Sequence, residues 1–180
     1  MALESLNIPN SNDPYAQPSF HNATLCDSDK PFRHLISLRL ANCSSYLSLS
    51  FTALKSLSTL QFLSLLNCPV APIRLPADLA LSLTSFTCVN SLRKLSGVWL
   101  SNLQNLTDLV VFDVNVKASG PFVILARMTK LKTLTISNSN LTGSLPDHLH
   151  SNLTHIDFSN NRLKGNIPPS ITMLDGTKRI

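Results

Sequence analysis

Charge is scarce in this chain. Asp, Glu, Lys and Arg make up 14% of its 180 residues, against roughly 25% in an ordinary soluble domain. Aromatic residues reach 6%, with one tryptophan, poor material for a Trp- and Tyr-anchored β-sandwich. No apolar run attains the ~18 residues of a membrane span. Ser64 and Asn67 interrupt even the best stretch, Leu57 to Val70. The opening residues, Met1 to Pro9, lack the basic region and apolar segment of a secretion signal. The four cysteines, Cys26, Cys43, Cys68 and Cys88, include no C-x-x-C pair, so the usual zinc and thioredoxin readings fail. No Gly-x-Ser-x-Gly, H-E-x-x-H, phosphate-loop or kinase signature occurs, and nothing calls for a nucleophile or a general base. His148-Leu149-His150 beside Asp147 offers ligand types for zinc, but a site needs three or four converging ligands. These residues follow Leu145-Pro146 and read as a solvated turn. The net charge of +5 includes the doublets Arg93-Lys94 and Lys178-Arg179 but no basic stripe, so no nucleic-acid partner is expected. The chain therefore reads as a non-enzyme, with no catalytic residue, metal or cofactor.

What is abundant is leucine (33), serine (24) and asparagine (16), and the leucines recur. The pattern LxxLxLxxN appears on six lines. Leu35, Leu38, Leu40 and Cys43 form the first, and Leu60, Leu63, Leu65 and Cys68 the second. Leu83, Phe86, Cys88 and Ser91 are the third, and Leu106, Leu109, Val111 and Val114 the fourth. Leu131, Leu134, Ile136 and Ser139 are the fifth, and Leu153, Ile156, Phe158 and Asn161 the sixth. The steps between first leucines are 25, 23, 23, 25 and 22 residues, inside the 20–29 range of leucine-rich repeats. Repeats three and four fit the register least well.

The spacing has a physical cause. Leu-x-Leu puts two side chains on one face of a short strand. No single coil can bury that face, so stacked coils supply the core. Asn at the ninth position can bond turn amides as the strand ends, and Cys43 and Cys68 occupy that position here. In parallel coils they come within disulfide range, yet the repeat alone accounts for a cysteine there, which favours two buried reduced thiols. Cys88 takes a core position. Repeat five continues Leu141-Thr142-Gly143-Ser144-Leu145-Pro146, and repeat six Leu163-Lys164-Gly165-Asn166-Ile167-Pro168. Repeat three carries a weaker version, Leu95-Ser96-Gly97, displaced by two residues. Leu47, Leu49, Leu54 and Leu57 predict a short helical turn on the outer side of repeat one.

The LxxLxLxxN and LxGxIP units together resemble ectodomains of plant leucine-rich-repeat receptor-like proteins and receptor kinases. The fold class expected is α/β: a right-handed solenoid with a parallel concave sheet and an irregular, 3-10 or short helical convex side. Residues 1–34 are expected to form a partial N-terminal cap. Residues 35–174 would hold six repeats and the start of a seventh, and 175–180 a truncated tail. Caps of this family carry a cysteine after Asp-Pro; here Tyr15 follows Asp13-Pro14, leaving Cys26 without an obvious local partner. An apolar end formed by Leu153, Ile156, Phe158, Leu163 and Ile167 is expected to lie open.

The resemblance implies a non-catalytic recognition module, part of a plant cell-surface ectodomain in defence or developmental signalling. Its partners would be a protein or peptide ligand and a co-receptor kinase. Its place would be the extracellular side of the cell membrane, held by a transmembrane segment that this chain, like a signal peptide, lacks. The rivals are a secreted inhibitor of microbial cell-wall enzymes, similar to polygalacturonase inhibitors, and the truncated ectodomain of a receptor kinase. Outward residues of the strands are the candidate binding face: Arg39, Phe62, Asp108, Phe112, Lys132, His155 and Asp157, accompanied by Gln61, Ser85, Thr87, Val110 and Thr135. Phe62 and Phe112 are large aromatics where polar residues would suffice. Five N-x-S/T sequons, at Asn22, Asn42, Asn105, Asn140 and Asn152, are glycan acceptors in a secreted chain.

Overall fold

The computed structural model describes residues 23–43, 49–71, 74–118, 120–173 and 178–179. Asn22, Leu47 and the expected cap residues before Ala23 lie outside this range. Strand β1 (Ala23–Cys26) runs antiparallel to β2 (Leu35–Ala41). The turn between them is tied by Asp27, whose carboxylate accepts from the His34 backbone N–H at 2.9 Å and from Asp29 N–H at 3.3 Å. His34 Nδ1 lies 2.9 Å from the other carboxylate oxygen.

From β2 onward the chain winds through parallel coils. Helix α1 (Phe51–Lys55) leads to β3 (Phe62–Leu66), and α2 (Ala77–Ser82) to β4 (Ser85–Val89). The short β5 (Leu95–Ser96) and α3 (Gly97–Ser101) precede β6 (Asp108–Phe112). Next come β7 (Val116–Lys117), α4 (Pro121–Leu125) and β8 (Thr133–Ser137). Strand β9 (Thr142–Gly143), β10 (His155–Asp157), β11 (Arg162–Leu163), a 3-10 turn (Pro169–Met173) and β12 (Lys178–Arg179) complete the order. The main sheet runs β1-β2-β3-β4-β6-β8-β10-β12, parallel after β1. On the other side of the coils, β5 pairs with β7 and β9 with β11. Parallel crossovers of this kind are right-handed, and the whole is a leucine-rich-repeat solenoid.

The register follows the leucine count. Leu38, Leu63, Phe86, Leu109, Leu134 and Ile156 are successive partners, so repeats three and four keep the expected alignment. Leu40, Leu65, Cys88, Val111 and Ile136 form the next inner column. All of these are at most 3% exposed. Phe86 enlarges its column where its neighbour two residues on, Cys88, is small, which keeps the coil's volume near that of a Leu-Leu pair. Burial pushes the Cys88 thiol pKa up to about 12, so it stays protonated and inert.

Outer helices are short and capped locally. Ser50 Oγ accepts from Ala53 N–H and Ser96 Oγ from Trp99 N–H, each at 3.1 Å. Pro121 opens α4 with the φ a first helical residue needs. The expected helical turn in coil one is α1, which buries Leu54, with Leu49 and Leu57 buried on either side. The LxGxIP glycines Gly143 and Gly165 sit at φ 97° and 91°, a region closed to most side chains.

Two expectations are overturned. Cys43 and Cys68 are joined by a disulfide, with Cα atoms 4.6 Å apart; equivalent positions on adjacent parallel coils stand at strand spacing, which is also disulfide spacing. The last coil is not laid open as a whole. Leu153, Ile156 and Phe158 are at most 1% exposed and Leu163 is partly buried, while Ile167 is 62% exposed. Residues read as a bare tail contribute β12, whose backbone pairs Lys178 with Ile156 and Arg179 with Asp157.

Candidate functional site

Strand alternation turns one set of residues into the core and the other onto the open face of the main sheet. Three outward columns result. Ser37, Phe62, Ser85, Asp108, Thr133 and His155 are aligned in the first. Arg39, Ser64, Thr87, Val110, Thr135 and Asp157 form the second, and Ala41, Leu66, Val89 and Phe112 the third, which ends at the buried Ser137.

The candidates do not gather into one cluster. Phe62 and Asp108 share a column two strands apart, about 10 Å at strand spacing. Phe112 lies at the far end of the strand that begins with Asp108, roughly 16 Å from Phe62 by the same spacing. Arg39 on β2 stands five strands from His155 and Asp157 on β10. Lys132 differs from the rest: it precedes β8 and is exposed at the rim, in line with Gln61, Thr84, Thr107 and Thr154, whose main chains it continues. Arg39 and the His155–Asp157 pair thus stand toward opposite ends, while the middle coils present Asp108 together with Ser64, Ser85, Thr87, Thr133 and Thr135. Asp108 is held locally by the Thr107 hydroxyl, which donates to its carboxylate at 2.7 Å. Asp157 accepts from the Ser159 N–H at 2.9 Å and so finishes its strand.

A feature that the leucine pattern did not expose is the apolar row Leu66, Val89 and Phe112. Leu66 and Val89 are half-buried, Phe112 is 43% exposed, and Phe62 is 45% exposed. Aromatic and aliphatic side chains on a rigid sheet, with hydroxyls beside them, form the kind of surface that anchors a protein partner.

Beyond this row the strands end in a polar seam, also unexpected from the ninth-position reading. Asn42, Asn67, Asn90, Asp113, Asn138 and Asn160 all have φ between 44° and 55°, the left-handed region that Asn and Asp tolerate best after glycine. Asn67 Nδ2 donates to Asn42 Oδ1 at 3.0 Å, and Asn90 Nδ2 to Asn67 Oδ1 at 3.1 Å. The carboxylate of Asp113 has no N–H to pass on, but accepts from Asn138 Nδ2 at 3.0 Å. The next position is inward. Cys68 N–H donates to Ser91 Oγ at 2.9 Å, and Leu141 N–H to Asn161 Oδ1 at 3.0 Å. Asn161 Nδ2 in turn donates to the Ile136 and Phe158 carbonyls. Among the described residues no buried side-chain polar atom lacks a partner.

The sequons lie at the edges. Asn42 and Asn140 are exposed and left-handed. Asn105 and Asn152 each precede a first leucine, and their Nδ2 atoms donate to Leu81 O at 2.7 Å and Thr129 O at 2.8 Å. His150 Nε2 lies 3.1 Å from Leu125 O in the preceding coil. Among the described residues no helix is long and apolar enough to cross a membrane.

The leucine-rich repeat family profile matches residues 130–151 and 152–174. Receptor-like protein 55 of Arabidopsis thaliana is 46% identical over 185 residues, covering 96% of this chain and 43% of that protein. Receptor-like protein 52 of the same plant is 30% identical over 109 residues, 59% of this chain and 11% of that one. The chain thus spans less than half the length of these relatives. Among solved structures, the leucine-rich-repeat ectodomain of the receptor kinase SOBIR1 from Arabidopsis thaliana superimposes with a TM-score of 0.62 at 20% identity. That match covers 93% of this chain and 92% of the other, and it bears on the fold alone.

Proposed function

Since the chain is a leucine-rich-repeat solenoid similar along nearly all its length to part of a plant receptor-like protein, we propose that it is a recognition module. In this reading it belongs to a cell-surface ectodomain and binds a protein or peptide ligand together with a partner receptor kinase, through which a defence or developmental signal leaves. The observation that carries the reading is the open face of the main sheet. It holds Leu66, Val89 and Phe112 as one apolar row, with Phe62 and Asp108 on the same face at the opposite ends of the strands. A rigid sheet presents these groups without an ordering cost at binding.

The test immobilises the chain and offers it purified ectodomains of plant receptor kinases. The Phe62→Ser/Phe112→Ser double variant removes two exposed rings and leaves the inner columns intact. It should melt like the parent and bind at least about tenfold more weakly, as loss of anchoring aromatics does at other interfaces. Equal binding by parent and variant would move recognition away from this face.

A further inference from the structure

On the outer wall an open cleft of about 580 Å3 is lined by Phe51, Arg74, Leu81, Trp99, Asn102 and Gln104, with apolar residues completing the lining. Phe51 and Leu81 are 48% and 50% exposed, although outer helices of a solenoid need no apolar side chains facing water. Trp99 is half-buried and braced from beneath by Phe86, ring centroids 5.4 Å apart. The Arg74 guanidinium lies 5.9 Å from the Phe51 ring centre. Apolar walls with a few converging amide and guanidinium donors, in a volume between about 300 and 1,000 Å3, describe a site for a small, amphipathic ligand.

The sequon Asn105-Leu106-Thr107 begins at the rim. Gln104 lines the cleft, and Asn105 Nδ2 donates to the backbone carbonyl of Leu81, another lining residue, at 2.7 Å. The Asn105 Oδ1 is held by Lys130 Nζ at 2.8 Å. A group attached to Nδ2 therefore starts beside the cleft. Asn152 supplies an internal contrast. It stands at the same place two coils later and bonds Thr129 O, which is not part of this cleft's lining.

We propose that this cleft seats the chain's own N-linked glycan, carried by Asn105. The inference rests on the extracellular reading above. In the modification, Nδ2 bonds to the anomeric carbon of an oligosaccharide while that carbon's bond to a lipid-linked diphosphate breaks, and the amide gives up one proton. In the folded chain the single Thr107 hydroxyl proton is shared between Thr84 O at 3.1 Å and the Asp108 carboxylate at 2.7 Å, and the inference places transfer before folding. The remaining Nδ2–H can still reach Leu81 O. The C–H faces of the first N-acetylglucosamine units pack on Leu81, Trp99 and Phe51, and Arg74, Asn102 and Gln104 donate to their acetamido and hydroxyl oxygens. A surface otherwise prone to self-association is thereby covered.

The test produces the chain in plant cells behind an added secretion leader, and maps occupancy at each sequon by mass spectrometry. The glycans are then trimmed enzymatically while the fluorescence of Trp99, the sole tryptophan, is followed. The inference expects an occupied Asn105 whose glycan is released more slowly than that of Asn152. It also expects a red shift and stronger acrylamide quenching of Trp99 on trimming. In Leu81→Ser the Asn105 glycan should be released as fast as that of Asn152. An occupied Asn105 with Trp99 unmoved and equal release rates overturns the docking. An empty Asn105 beside occupied Asn140 or Asn152 overturns the inference and leaves the extracellular reading standing. No occupancy at any sequon overturns both.

Discussion

Replacing Asn90 by alanine tests how the coils are joined at the ends of their strands. Asn90 sits at φ 44°, where a Cβ-bearing residue other than Asn or Asp is disfavoured by roughly 1–2 kcal/mol. Alanine also deletes the Asn90 Nδ2–Asn67 Oδ1 bond of 3.1 Å, an exposed bond contributing roughly 0.5–1 kcal/mol. The backbone Asn90 N–H to Phe112 carbonyl bond, 2.9 Å, survives only if the left-handed turn does. The expected loss is therefore about 1.5–3 kcal/mol. Glycine at the same position also loses the side-chain bond but accepts the dihedral, at an entropic cost of roughly 0.4–1 kcal/mol in the unfolded chain. It should be less damaging than alanine, and aspartate, which tolerates the left-handed region, milder than alanine too. Urea unfolding read through Trp99 reports the ordering. Alanine indistinguishable from the parent, or better tolerated than glycine, would refute the left-handed seam as a determinant of stability.

Reducing the Cys43–Cys68 bridge frees a separation of 25 residues, for which loop entropy gives roughly 3–4 kcal/mol. A thiol-dependent drop in urea midpoint, with Cys88 unlabelled by alkylating reagent until the chain unfolds, is the expected result. The turn between β1 and β2 should respond to acid. The His34 backbone N–H, opposed by partial desolvation and helped by the His34 ring, holds the Asp27 carboxyl below its ordinary 3.8. A depressed acid stabilises the fold above its unfolded pKa and ceases to do so as pH falls through the folded value. The Asp27 carboxyl resonance should thus titrate below pH 3.8, and the Asp29 and His34 amide shifts should follow it. A midpoint at or above 3.8 would contradict the turn geometry.

Much of the architecture was legible because leucines at regular steps have one physical use, the filling of a stacked core. The steps of 25, 23, 23, 25 and 22 residues between first leucines reappear unchanged as offsets between paired strands, for example Leu38 with Leu63 and Phe86 with Leu109. The column from Asn42 to Asn160 keeps the same steps, yet it carries no comparable signal in the sequence. A polar residue at a strand end looks like surface until its dihedral is known. The reason for Asn there is first a left-handed backbone and then a bond to the next coil's side chain, neither of which a spacing reveals. Equivalence of Cys43 and Cys68 was readable, but their oxidation state was not, since a core thiol and a bridged one satisfy the same pattern. Phe62 and Phe112 stood out as aromatics at outward positions. Leu66 and Val89 did not, because an aliphatic residue after an inner Leu or Cys reads as more core. The outer cleft draws on residues from Phe51 to Gln104, contributed by three successive coils, and no spacing announces it.

The central claim is that the open sheet face is where a partner lands. A photoreactive amino acid placed at Val89, in the middle of the apolar row, and separately at Val98, 64% exposed on the outer helix α3, reads this directly. With a bound receptor-kinase ectodomain or peptide ligand, covalent capture is predicted from Val89 and not from Val98. Capture from Val98 alone would contradict the account and place recognition on the opposite side of the solenoid.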